Sequence, residues 1–81
     1  MERILEIKRR IKEFTFLSPT DRGLTDTSYI RYLATCSKLL DLDVSLNALQ
    51  NDDDMEYEEF MERLLNIEQD VIACTKWLIK D

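Results

Sequence analysis

Residues 52–80 read DDDMEYEEFMERLLNIEQDVIACTKWLIK, a stretch with no glycine and no proline to interrupt a helix. Tyr57, Phe60, Leu64, Ile67, Val71, Cys74 and Leu78 recur at spacings of three and four, and Met61, Leu65, Ile72 and Ile79 form a second stripe beside them. At about 100° per residue the two stripes cover roughly half of a helix circumference. That is wide for a helix with one neighbour. The expectation is a long C-terminal helix, roughly 40 Å at about 1.5 Å per residue, that serves as the central element and touches at least two others. Asp52, Asp53 and Asp54 supply a cap and a negative first turn, which suits the positive end of a helix dipole.

Upstream, the same periodicity appears in narrower form. Ile4, Ile7, Ile11 and Phe14 make a thin apolar seam between charged residues, with Leu5 off the seam, and predict a first helix over about Glu2–Phe14. Glu6 stands four residues before Arg10, a spacing that suits a helical ion pair. Ser18-Pro19-Thr20-Asp21-Arg22-Gly23 gathers the one proline and the one glycine of the chain and reads as a loop. Thr25, Asp26 and Thr27 are each fit to cap a second helix that begins near Ser28 and runs to about Asp41. Its apolar side carries Tyr29, Tyr32, Leu33, Cys36, Leu39 and Leu40. Leu42–Asn51 is ambiguous; Asp43 or Ser45 could cap a further short helix over 45–50. The fold class is therefore all-α, a compact three- or four-helix bundle forming a single domain over residues 1–81.

Composition narrows the function classes. Eleven Lys and Arg stand against 17 Asp and Glu, a net charge of −6, in 81 residues that are 44% hydrophobic. A net anion repels phosphate backbones, and the one basic cluster, Lys8-Arg9-Arg10 with Lys12, is spread around its helix and interleaved with Glu6 and Glu13, so nucleic acid is not the expected partner. No apolar run is long enough to span a bilayer. The charged start argues against a signal peptide, and a cytoplasmic location is expected. Cys36 and Cys74 sit on apolar stripes of different helices and are read as free thiols in a reducing compartment. No histidine is present, which removes the commonest general base and zinc ligand.

Three arrangements of polar residues bear on chemistry. Glu58-Glu59-x-x-Glu62 resembles one half of the magnesium site of all-α nucleotide pyrophosphohydrolases, but the later Glu-x-x-Asp that completes such a site is absent from this sequence. A solvated acidic face is the plainer reading, and no metal, cofactor or enzymatic activity is expected. Glu68 and Thr75 project within the apolar half of the last helix, alongside Tyr57. A carboxylate there must reach solvent or find a cation, for which Arg31 and Arg63 are candidates. These three residues could instead line a pocket for a nucleotide or metabolite between chains. Trp77 lies away from the apolar stripe, on the side of Asn66, Asp70 and Ala73. Either a neighbouring segment folds over it, or it anchors an interface.

The reading that unites these features is a small acidic protein-binding module, an inhibitor, immunity protein or adaptor. Trp77, Asp70, Glu59 and Asp52–Asp54 would engage a basic surface of a partner protein. The alternative is a homo-oligomeric small-molecule binding protein that uses Glu68, Thr75 and Tyr57. A three-helix domain this small has a limited core, so a homo-dimer or higher oligomer is also expected to be within reach.

Overall fold

A computed structural model describes residues 2–17 and 23–78. Most of the loop at 18–23, and Ile79 and Lys80 at the end of the expected last helix, lie outside the described residues. Three helices and no strands are present among those described: α1, Glu2–Thr15; α2, Asp26–Gln50; and α3, Tyr57–Thr75. None is long and apolar enough to cross a membrane.

The seam of α1 behaves as its spacing requires. Ile4, Ile7, Ile11 and Phe14 are all buried, while Leu5 faces outward. Gly23 takes φ +64°, a left-handed conformation that a side chain would strain. Thr25 then caps α2, its hydroxyl accepting from the Ser28 N–H at 3.2 Å.

The second helix departs from expectation. It does not stop near Asp41 but runs unbroken through the ambiguous segment to Gln50, 25 residues in all. No separate helix exists over 45–50. The reason lies in its buried edge: Tyr32, Leu39 and Leu46 recur every seven residues and Leu49 follows one turn on, so the core continues past the Asp-Leu-Asp interruption. Asp41 stays exposed and Asp43 half-exposed, so neither charge has to be removed from water.

The third helix is correspondingly shorter. Asp52–Asp54 do not open it; they form a turn in which the Asp54 N–H donates to Asp52 Oδ1 at 3.0 Å, and the helix begins at Tyr57 after Glu56. Among the described residues the C-terminal helix, at 19 residues against 25, is not the longest. Each helix packs on the other two.

The chain directions follow from cross-links. Arg3 reaches Glu68 and Arg10 reaches Thr75, so α1 and α3 run parallel. Phe14 stacks on Tyr32 and Lys8 donates to Asn47, so α2 runs back between them. The result is elongated, 45 × 21 × 16 Å.

Candidate functional site

Structure disperses the acidic and aromatic residues singled out in the sequence. Asp52, Asp53, Asp54 and Glu59 are exposed at the pole where α2 turns into α3. Glu59 accepts from Arg63, one helical turn on, at 3.0 Å. Asp70 is exposed in the C-terminal half of α3. Trp77 follows the last turn of α3, roughly 30 Å from Tyr57 at about 1.5 Å per residue. These residues do not form one patch.

Trp77 is covered from within its own chain. Its ring meets Phe14 edge-on at 6.0 Å, and the Arg31 guanidinium lies over it at 4.4 Å. Arg31 is thereby engaged with the indole and does not serve Glu68.

Glu68 finds its cation on α1 instead. Arg3 Nε donates to Oε2 at 2.9 Å and Nη2 to Oε1 at 2.8 Å, a two-pronged pair. Hydrogen bonding from Arg3 lowers the Glu68 pKa below its ordinary value, against a smaller upward push from burial. Seven residues further along both helices, Arg10 Nε donates to Thr75 Oγ1 at 2.6 Å, and that hydroxyl donates in turn to the Val71 carbonyl at 2.8 Å. Thr75 is fully buried. Tyr57, by contrast, stands in solvent at the start of α3. The three residues assigned to a pocket therefore do not converge, and two of them hold α1 against α3.

Clefts lie along the helix junctions. One of about 390 Å3 lies between the end of α2 and α3, lined by Ser45, Leu49, Asp52, Met55, Arg63 and Asn66. Arg63, the cation that would serve an anion there, is turned to Glu59. Among the described residues no three of Cys, Asp and Glu come together as a set able to hold a metal ion.

What sequence reasoning missed is an apolar face. Tyr29, Leu33, Leu40 and Val44 lie along one side of α2, and Leu5 and Phe16, on and just beyond α1, share a groove with Leu40; the exposure of these six runs from 45% to 78%. Between the two helices a groove of about 620 Å3 has Leu5, Ile11, Phe16 and Leu40 in its walls, with Lys8, Arg9, Lys12 and Asp43 beside them. The signal was available: α2 has more large apolar residues than one buried edge can take. Leu33 and Leu40 share an apolar side with Tyr32 and Leu39 in the sequence pattern, yet stand exposed on the folded chain. No protein-family model, curated protein or solved structure matches the chain.

Proposed function

We propose that the protein works by binding another protein in the cytoplasm, in the manner of an inhibitor, immunity protein or adaptor, and not by catalysis. One observation carries this reading: most of the exposed large apolar side chains are gathered on one side of α1 and α2. An exposed apolar strip of that kind, in a chain with 35% charged residues available to cover it, marks an interaction site. The acidic pole adds a second element. Tyr57, 76% exposed, stands among Asp52, Asp53, Asp54, Glu56, Glu58 and Glu59. An exposed aromatic flanked in sequence by exposed carboxylates suits a basic surface, which the negative field would steer toward it. In this reading Tyr57 takes the anchoring role that the sequence suggested for Trp77.

Photo-crosslinking tests the proposal. A benzophenone amino acid is placed at Leu40 or at Tyr57 in the cells that make the protein, and irradiated. Adducts that contain a second, different polypeptide are expected at one position or both. Folded, light-activated protein that yields none at both positions would refute binding through these surfaces.

A further inference from the structure

The apolar face of α2 has a symmetry of its own. Tyr29, Leu33, Leu40 and Val44 are spaced four, seven and four residues apart, so the stripe reads the same in both directions about a point between Cys36 and Ser37. These spacings return to one side of an α-helix. No charged side chain interrupts that strip between Tyr29 and Val44; Cys36 and Ser37 occupy its middle. From this geometry we infer that the face is covered by the α2 helix of a second copy of this chain, lying antiparallel across a two-fold axis near residues 36 and 37. Tyr29 then meets the partner's Val44, and Leu33 meets the partner's Leu40, the self-complementary arrangement that a two-fold interface requires.

Area supports the pairing. At roughly 150–200 Å2 per large apolar residue, the exposed fractions of Tyr29, Leu33, Leu40 and Val44 amount to about 400 Å2, and Leu5 and Phe16, which share a groove with Leu40, raise the apolar surface to on the order of 600 Å2. A standard interface buries about 800 Å2 per partner, of which about 65% is apolar in homodimers, so about 500 Å2 of apolar surface suffices.

Charge chooses the direction. Each chain carries −6, much of it at the pole formed by residues 52–59. Parallel pairing would set two such poles side by side, whereas antiparallel pairing places them at opposite ends of the dimer, beyond several Debye lengths. The cations Lys8, Arg9 and Lys12 beside the groove further offset repulsion between two anionic chains.

This inference rests on the proposed function in taking the apolar face to be an interface; where a second copy covers that face, the acidic pole around Tyr57 is what remains for a different protein, and the two fail separately. Sedimentation equilibrium of the full chain at micromolar to millimolar concentration should give twice 9.7 kDa. Leu40→Lys, at an exposed position, should return the mass to that of one chain with the circular dichroism of the folded protein. Direction is read by crosslinking in a Cys36→Ala, Cys74→Ala background. Leu33→Cys and Leu40→Cys proteins mixed together should form a 33–40 disulfide, and neither should crosslink efficiently alone. A single-chain mass at every concentration would overturn the pairing, and with benzophenone adducts to a foreign protein it would leave the proposed function standing. Efficient crosslinking of each variant with itself would overturn the antiparallel geometry. A dimer unaffected by Leu40→Lys would overturn the choice of face.

Discussion

Tyr32→Phe removes one oxygen atom, the one that closes the C-terminal end of α1. The Tyr32 hydroxyl lies 2.9 Å from the Phe14 carbonyl, 3.0 Å from that of Thr15 and 3.1 Å from that of Leu17. A phenol has a single proton, so it donates to one of these acceptors at a time. Losing it leaves a buried carbonyl without that donor, at a cost of about 1–2 kcal/mol. Total stability for a chain of this size is roughly 4–12 kcal/mol at about 0.05–0.15 kcal/mol per residue. The loss should lower Tm by about 5–15 °C.

Alkaline pH supplies a second, independent reading of the same atom. Burial, with the Cys36 thiol adding to it, pushes the Tyr32 phenol up from 10.0 to about 12. A group whose pKa is raised on folding contributes its full stability below the unfolded value and loses it as pH climbs through the folded one. Between about pH 10 and about pH 12 the wild type should therefore give up about 2–3 kcal/mol. Urea melts followed by circular dichroism, on wild type and Tyr32→Phe in parallel, isolate the effect, because the two proteins share every other side chain. The wild type should lead at neutral pH, and its lead should shrink and then reverse across that window. A constant difference between the two proteins would show that the phenol titrates in water, and the account of how α1 ends would fall with it.

Other consequences follow from the same contacts. Arg3→Met should cost about 0.5–1 kcal/mol, since the Arg3 and Glu68 side chains are 41% and 24% exposed. Because Glu68 is held below its ordinary 4.5, this contribution is present above that pH and fades as acid lowers it, so an acid titration of the variant should have a flatter limb. Thr75→Val keeps the shape but removes the acceptor for Arg10 Nε, and chemical denaturation should register about 1–2 kcal/mol. Thr35→Val, whose hydroxyl bonds the Arg31 carbonyl at the surface, should stay within about 0.5 kcal/mol. Ser45→Pro should cost about 3 kcal/mol or more, because it falls inside α2. A melt unchanged by that substitution would mean that α2 is broken where the Asp-Leu-Asp segment first suggested.

How much of this was legible depends on how apolar residues are shared out around each helix. In α1 the intervals between Ile4, Ile7, Ile11 and Phe14 are filled almost wholly with charge, so the buried seam could be read directly. In α2 apolar residues occur around much of the circumference. Tyr29, Leu33 and Leu40 looked like core beside Tyr32 and Leu39, and only packing against α1 and α3 decides which of them is covered. Its length was obscured because Asp43 and Ser45 are good caps that also sit at ease on a helix surface. Asp52–Asp54 misled in the same way, their carboxylates serving a turn before α3. The partner of Glu68 was hidden by topology. Arg3 becomes available only when α2 is long enough to carry the chain back and lay α3 parallel to α1, although the equal intervals Arg3–Arg10 and Glu68–Thr75 were there to be noticed.

That equality of intervals makes the α1–α3 contact a ladder with repeated rungs. Sliding α1 by seven residues, about 10 Å, would bring Arg10 onto Glu68 and lay Ile11 and Phe14 where Ile4 and Ile7 now rest. Arginine and isoleucine alone cannot tell one rung from the next. The aromatic corner can, since the slide carries Phe14 away from Tyr32, now 5.1 Å distant, and away from Trp77. Alignment is thus decided by the three rings together with the Tyr32 hydroxyl on the Phe14 carbonyl and Lys8 on Asn47, and the ion pair fastens what they have chosen. Phe14→Leu should loosen that choice and let two alignments coexist, visible as doubled amide resonances along α1.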